Sequence, residues 1–367
     1  MQILHIITRL NKGGTSNWLQ IITDKLVKEG HQVFLIHGEI GKNEIQSETL
    51  NNITEFQIKG FKRKINFISD IKTTLKIMIL IYRIKPDIIN THTSKAGLLG
   101  RLAILPFYFG YKPKVVHTFH GHLLYGYFSN FSSFFFLLIE RALSTITDGF
   151  IVSGQTVADN LVHKRILQGK KFICINPPMS RSIKLKYNVR DYYKFSKEDI
   201  LVSWLGRFEK VKCPDRVIEL AILFPRIKFV MSGNGSLYDY IKRIAPKNVY
   251  LTGWVNPDFI WSGTDIALLT SLNEAVPFVL VESSSHQVPA IAENVGSVKD
   301  IIENNFNGFL TSNLKDRISA LQLLSKSVSI REKMGHNARS LVEEKFSEKI
   351  FISSHLDFYS ELVNSDF

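Results

Sequence analysis

Two carboxylates stand eight positions apart in Asn273-Glu274-Ala275-Val276-Pro277-Phe278-Val279-Leu280-Val281-Glu282. A proline at the first position of a helix leaves the N–H groups of Phe278, Val279 and Leu280 without intrahelical partners, pointing back at the loop that carries Glu274. That is a place for an anion. Glu282 then lies about 6 Å further along the axis from Phe278, at ~1.5 Å per residue, where it can meet a hydroxyl of a sugar attached to the same anion. Taken alone, the stretch reads better as a helix start with an acid in the preceding loop; the rest of the chain decides.

Other residues add cations and glycines. Gly206-Arg207, with Lys212 five residues after the arginine, follows an apolar run. A guanidinium and an ammonium at the end of a parallel strand suit a diphosphate and neutralise its charge as it leaves, although either could be ordinary surface charge. The chain holds no Asp-x-Asp pair, so no metal is expected. Gly233-Asn234-Gly235 fits a tight turn close to a ligand, and Gly253-Trp254-Val255 could offer backbone groups and a ring edge to a flat base, or be a turn and a core tryptophan. Gly13-Gly14, ahead of Thr15 and Ser16, opens a helix where a phosphate can approach, but lacks the GxGxxG spacing of a dinucleotide site. In His117-Thr118-Phe119-His120-Gly121-His122 the alternating histidines could bind zinc, yet no Cys or Glu joins them. A polar contact to substrate is the better reading, with His92 either on the same wall or, at least as readily, a satisfied histidine in its loop.

Elements that could position these residues alternate along the chain. Strands are expected at Ile3 to Ile7, Gln32 to His37, Asp87 to Thr91, Val115 to Phe119 and Gly149 to Val152, with helices at Thr15 to Glu29, Ile68 to Arg83 and Ser94 to Leu105. Pro177-Pro178 and the basic segment to Ser196 read as a linker. The alternation restarts at Ile200 to Leu205, with further strands at Lys228 to Ser232, Val249 to Thr252, Ile266 to Leu269 and Pro289 to Ala292, and helices at Pro214 to Leu223 and Ser236 to Ala245. The class is α/β. Two Rossmann-like domains face each other across a cleft, residues 1–185 and 186–345, and a final helix, 346–367, packs back on the first.

A chain of 367 residues suits two such domains, and 45% hydrophobic with 22% charged residues is a globular composition. Cys174 and Cys213 share no paired spacing, which argues for a reducing compartment and against a disulfide framework. After Met1 the short apolar run meets Thr8-Arg9, a first strand and not a secretory signal. The formal charge of +13 favours an anionic partner. Dispersed Lys and Arg without a recognition motif argue against nucleic acid, leaving a nucleotide-bearing substrate or an anionic membrane surface.

No run is long and apolar enough to span a bilayer. Leu75 to Ile84 is interrupted by Lys76 and Arg83, and the aromatic stretch Leu123 to Leu143 carries Asn130, Glu140 and Arg141. Both read as buried helices of the first domain or as an interfacial surface meeting a membrane or lipid-linked acceptor, near the basic Lys62, Arg63 and Lys64.

In order, Gly13-Gly14, the His117 to His120 strand end, Gly206-Arg207 with Lys212, Gly233-Asn234-Gly235, the Glu274 to Glu282 pair and Asn307-Gly308-Phe309-Leu310 make the chain resemble glycosyltransferase family 4, retaining nucleotide-sugar transferases of GT-B fold, over nearly its whole length. The resemblance implies that Arg207 and Lys212 bind the donor diphosphate, with Gly206, Gly233, Asn234, Trp254 and Val255 lining the donor site. It gives Glu282 to the ribose, Glu274 to the donor sugar, and the N–H groups of Phe278 and Val279 to the phosphate or sugar, with Leu280 kept in the donor site from the helix-start reading. Gly13 and Gly14 approach the diphosphate, and His120 contacts the donor sugar. Thr15, His92 and His122 fall on the acceptor side. The implied enzyme is a hexosyl- or N-acetylhexosaminyltransferase that needs no prosthetic group or metal. It takes a UDP-sugar to a lipid-linked or polysaccharide precursor of capsule, O-antigen or exopolysaccharide, at the inner face of the cytoplasmic membrane. Ala275, Gln287 and Ser297 stand where glycine is usual. A nucleotide-sugar epimerase of the same architecture and a catalytically inactive sugar-binding subunit are the alternatives.

Overall fold

The computed structural model describes residues 1–11, 13–41, 45–47, 50, 52–121, 130–179 and 185–365; Lys12, His122 and the front of the aromatic stretch, 123–129, lie outside them. The chain divides into two compact units: one takes in the chain up to Asn176 and again from Lys349, the other runs Pro177–Glu348.

The first unit is a parallel sheet of β1 (Gln2–Ile7), β2 (Gln32–His37), β3 (Thr54–Gln57), β4 (Ile88–His92), β5 (Lys114–Phe119), β6 (Gly149–Val152) and β7 (Lys171–Cys174). Their order is β3-β2-β1-β4-β5-β6-β7. Between them run α1 (Gly14–Lys28), α2 (Phe67–Ile84), α3 (Ser94–Leu102), α4 (Asn130–Ser144) and α5 (Gln155–His163). Strands β1, β4, β5 and β6 are buried along nearly their whole length, as expected of a sheet covered on both faces. The chain steps one way from β1 to β2 and the other way from β3 through β4, β5 and β6. Right-handed crossovers therefore put α1 on one face and α2, α3 and α4 on the other. A buried Arg101–Glu140 ion pair ties α3 to α4.

The second unit opens with α6 (Val189–Tyr193) and forms a parallel sheet of β8 (Leu201–Leu205), β9 (Lys228–Ser232), β10 (Val249–Gly253), β11 (Ile266–Leu269), β12 (Ala290–Glu293) and β13 (Gly308–Thr311). Their order is β10-β9-β8-β11-β12-β13. Its helices are α7 (Asp215–Leu223), α8 (Tyr238–Ile244), α9 (Pro257–Trp261), α10 (Phe278–Ser285), α11 (Leu314–Lys326) and α12 (Val328–Lys345). The last helix, α13 (Glu348–Asn364), returns to the first unit, where Tyr359 accepts a 2.7 Å hydrogen bond from Asn90 and Phe358 and Leu362 lie against Gly149.

Three strands, β3, β7 and β13, have no counterpart among those expected from the sequence. Each is a sheet edge. With one neighbouring strand and partly exposed side chains, an edge carries a weaker apolar signal than a central strand. The expected linker is shorter than its composition suggests. Asn188 and Asp191 form a capping box at α6, Val189 is in the core, and the Arg190 guanidinium donates to the carbonyls of Gly263, Ser196 and Asp199 and pairs with Asp265.

The buried-helix reading of the two apolar stretches is overturned on their outer faces. α2 buries only Thr73, Ile77 and Ile81 and exposes Ile68, Ile71, Leu75, Ile79 and Tyr82. α4 exposes Phe134, Phe135, Leu138 and Ile139 while burying Glu140 and Leu143.

Candidate active site

In the second unit the strand order reverses between β8 and β11, which opens a crevice at their carboxyl ends, the usual ligand position in such sheets. Gly206 and Arg207 follow β8, and Ser271 to Glu274 follow β11. The two loops are laced together. Thr270 Oγ1 accepts from Trp204 Nε1 at 3.0 Å and donates to the carbonyls of Lys212 and Cys213, and the Leu272 N–H donates to the Val211 carbonyl. Lys212 pairs with Glu274, whose carboxylate also accepts from Ser271 Oγ at 2.6 Å. The two residues assigned to different parts of the donor thus meet each other. The Arg207 side chain is half-buried and has no hydrogen-bond or ion-pair partner among the described residues.

Glycines in this edge are needed for backbone packing. Gly233 has φ +130°, and a Cβ on it would sit 1.9 Å from the Gly206 carbonyl oxygen; one on Gly235 would sit 2.7 Å from that of Phe208. The Gly233-Asn234-Gly235 turn therefore braces the Arg207 loop from beneath. The Phe208 N–H donates to the Asn234 carbonyl, and Glu209 accepts from Ser236. Gly296, at φ +54°, leaves room for the Glu274 carbonyl in the same way. Trp254 and Val255 follow β10 half-buried, with Val255 packed on the core.

Pro277 caps α10 from outside, so the helix begins at Phe278. The Leu280 N–H is taken by the Pro277 carbonyl at 3.0 Å, which removes it from the expected donors and leaves Phe278 and Val279 at the helix start. One turn on, Glu282 meets Trp261 Nε1 of α9 at 3.5 Å. Burial, with the nearby Asp258 carboxylate, pushes its carboxyl up to about 7, although the Trp261 N–H opposes the rise. A buried Glu293 at the end of β12, paired with Arg317 and Arg216, was not singled out in the sequence; Arg216 also donates to the Thr270 carbonyl.

The first unit has its own reversal, between β1 and β4. Among the described residues nothing lies within 4 Å of a Cβ added to Gly13 and no side chain caps α1, at whose start Gly14 and Thr15 stand. Across the reversal Thr8 and Thr93 share a 2.8 Å hydroxyl contact. His92 is fully buried between His5 and His120, 2.9 and 2.8 Å from them, with both ring nitrogens engaged. That corrects its placement on the acceptor side, because no nitrogen is left for an acceptor. His120 is half-buried, braced edge-on by Trp18. Burial, with neighbouring imidazoles adding to it, holds His5, His92 and His120 well below the usual histidine range. His5 was missed. Its signal was a lone polar residue inside the apolar run Ile3-Leu4-His5-Ile6-Ile7.

His117 points to the opposite face, bonded to Thr91 Oγ1 at 2.8 Å and packed on Gly97 of α3. It cannot share a ligand with His120. Among the described residues no group of His, Cys, Asp and Glu is placed to hold a metal ion.

Residues 12–179 match the family model Glycosyltransferase Family 4, and 188–341 match Glycosyl transferases group 1. The capsular polysaccharide biosynthesis glycosyltransferase CapM of Staphylococcus aureus is 25% identical over 79% of this chain and 80% of its own. UDP-Gal:alpha-D-GlcNAc-diphosphoundecaprenol alpha-1,3-galactosyltransferase of Escherichia coli is 26% identical over 85% of each chain. Among solved structures, sucrose-phosphate synthase from Thermosynechococcus elongatus superposes with TM-score 0.81 at 16% identity, over 100% of both chains. Anabaena Alr3699/HepE in complex with UDP and glucose does so with TM-score 0.81 at 16% identity, over 98% of this chain and 100% of its own. Two Rossmann-like parallel sheets, a last helix returned to the first of them, and family matches along both halves make this chain a glycosyltransferase of GT-B fold in glycosyltransferase family 4.

Proposed function

We propose that the protein transfers a hexosyl or N-acetylhexosaminyl group from a UDP-sugar to a lipid-linked saccharide in the synthesis of capsule or O-antigen, with retention of anomeric configuration and without a divalent cation. The observation that carries this reading is the carboxyl edge of the second unit. There Arg207, without a side-chain partner among the described residues, the α10 start at Phe278 and Val279, and Glu282 one turn on stand around one strand reversal. Arg207 and Lys212 hold the diphosphate, Glu282 the ribose and Glu274 the sugar. His120 of the first unit contacts the sugar, and residues 1–185 take the acceptor. The bond from the anomeric carbon to the diphosphate breaks as the acceptor hydroxyl attacks from the same face, and the leaving phosphate takes the hydroxyl proton. No separate base is then required, and catalysis is positioning and charge stabilisation. Two relatives, one named for capsular polysaccharide biosynthesis and one for a diphosphoundecaprenol-linked sugar, support the acceptor class.

Incubation with UDP-sugars, with and without an undecaprenyl-diphosphate-linked saccharide, tests it. The expected product is a glycosylated lipid with an axial or equatorial linkage matching the donor, formed only with acceptor present and unaffected by chelator. An isomerised free nucleotide sugar in the absence of acceptor would overturn the transferase reading in favour of an epimerase.

A lipid-linked acceptor places the enzyme at a membrane surface, and the outer face of α2 supports that location. Among the described residues no helix is long and apolar enough to cross a membrane. Ile68, Ile71, Leu75, Ile79 and Tyr82 form one stripe opposite the buried Thr73, Ile77 and Ile81, with Ile68 71% and Tyr82 68% exposed. Lys72, Lys76 and Arg83 follow its flank, and Lys62, Arg63 and Lys64 precede it. This pattern suits anionic lipid, where each basic residue adds on the order of 1 kcal/mol. Sedimentation with phosphatidylglycerol vesicles is expected to carry the protein down, Ile71→Glu to weaken this about tenfold, and phosphatidylcholine vesicles to leave it in solution. Equal binding of the variant and the parent chain would remove α2 from the surface.

A further inference from the structure

Three imidazoles run as one chain through the first sheet. His5 lies opposite Asn90 in the β1–β4 pairing, His92 lies opposite Thr118 in the β4–β5 pairing, and His120 is two residues past Thr118. Each step crosses one strand and moves two residues toward the carboxyl edge, so all three side chains stay on one face of the sheet. His5 Nδ1 meets His92 Nε2 at 2.9 Å, and His92 Nδ1 meets His120 Nε2 at 2.8 Å. The rings stack, with centroids 5.2 and 5.1 Å apart.

Burial keeps these imidazoles neutral, so each carries one N–H and each contact holds one proton. Only two orders are then consistent. In the outward order His5 Nδ1–H donates to His92, His92 Nδ1–H donates to His120, and His120 must carry its own proton on Nδ1. In the inward order every proton sits on Nε2, and His120 presents a bare Nδ1. The two differ at the buried end. Among the described residues His5 Nε2 is buried without a partner. The inward order makes it an orphaned N–H, whereas the outward order leaves only an unused lone pair, and orphaned buried donors are the rarer and costlier of the two. His355 does not take that proton: it donates Nδ1–H to the Phe351 carbonyl at 2.7 Å, and its own Nε2 likewise has no partner among the described residues.

We infer that His5 and His92 are positioning residues that lock His120 in the Nδ1–H tautomer, so that His120 meets the transferred sugar or its departing phosphate as a hydrogen-bond donor and never as a base. This rests on the assignment of His120 to the donor sugar made above. It explains why a residue at the reacting end of the first unit is wired inward to two others that touch no substrate. His120 Nδ1 makes no hydrogen bond among the described residues, and Trp18, edge-on at 5.1 Å, fixes the ring.

The test is 15N NMR of the full chain with labelled histidine near pH 7.5, assigned by single-histidine variants. His5, His92 and His120 are each expected to show a protonated Nδ1 and a bare Nε2. A protonated Nε2 on His92 or His120 overturns the proposal, and this measurement needs no activity. Kinetics give a second readout. His92→Gln offers a carbonyl to His5 and an N–H to His120, and is expected to keep kcat within about threefold. His92→Leu removes both and is expected to lose about 30-fold in kcat, with the donor KM changed less than about twofold, as befits a donor felt mainly in the transition state. Equal losses in the two variants overturn the lock. If the spectra show the ordered chain while His120→Ala keeps full turnover, the lock stands and the placement of His120 on the sugar falls.

Discussion

The two carboxyl edges solve the same problem with opposite materials. In the second unit the crevice between β8 and β11 is charged: Arg207, Lys212, Glu274 and Glu282 gather there, held by backbone packed on glycine at Gly233, Gly235 and Gly296. In the first, the edge past β4 and β5 is neutral, built of imidazoles joined through buried hydrogen bonds. On the roles proposed above, the difference follows from what each must do. Charge suits a diphosphate whose negative charge grows as its bond to the sugar breaks, whereas a neutral donor aligned in advance costs little to bury and needs no reorganisation. If the contrast is right, the second edge is sensitive to lost charge and added bulk, and the first to lost hydrogen-bond direction.

Arg207→Ala breaks the contrast most directly. Because the guanidinium has no protein partner among the described residues, its removal is expected to cost about 1000-fold in kcat while the melting temperature moves by less than about 1 °C. Full activity in the variant would strip the second edge of its proposed role. Gly233→Ala attacks the scaffold instead. Its Cβ would sit 1.9 Å from the Gly206 carbonyl at φ +130°, so the loop carrying Arg207 must shift. A loss of about 3 kcal/mol in denaturant stability is expected, with activity falling alongside.

Glu282 gives the comparison a pH axis. Its carboxyl is raised to about 7 by burial, so it is mostly protonated near pH 6 and mostly ionised near pH 8. In the proposed ribose site an ionised carboxylate would accept from both hydroxyls, so UDP-sugar affinity is expected to rise about tenfold across that interval and then level off. Binding that favours the charged form releases a proton, which calorimetry in buffers of different ionisation enthalpy reads directly. Glu282→Gln is expected to flatten the profile. The imidazole chain, already neutral throughout this range, adds no slope of its own.

Much of this was legible in the sequence, and what escaped has a common physical character. Interior strands such as Gly149–Val152 and Ile266–Leu269 read cleanly because burial on both faces makes them continuously apolar, whereas Thr54–Gln57, Lys171–Cys174 and Gly308–Thr311 are edges with mixed side chains. Arg207, Lys212, Glu274 and Glu282 were readable because charge after an apolar run is conspicuous. That Lys212 would pair with Glu274 was not, since it depends on how two loops are laced 62 residues apart. His5 escaped because its meaning lies in strand register. Only the β1–β4 and β4–β5 pairings place it two steps behind His120. Leu280 was assigned a free N–H that the Pro277 carbonyl in fact uses, a detail of the first helical turn that sequence does not settle.

The smallest expected effect concerns the end of α10, the helix that carries Glu282. Gln287 stands at φ +59° where glycine is usual, and the bonding there is complete: its N–H donates to the Ser284 carbonyl at 2.9 Å and the Val288 N–H to that of Ser283 at 3.0 Å, the paired pattern of a left-handed helix stop. A side chain in that conformation costs about 1–2 kcal/mol, and glycine returns part of this as unfolded-chain entropy. The Gln287 side chain is exposed, while its carbonyl lies against Gly335 of α12 and needs no side chain to do so. Gln287→Gly is therefore expected to stabilise the second unit by about 1 kcal/mol, or roughly 2–4 °C for a unit of this size, with kcat and donor KM unchanged. Greater stability bought with lost turnover would mean that the strain at Gln287 helps set Glu282, and the second edge would then be tuned by backbone as well as by charge.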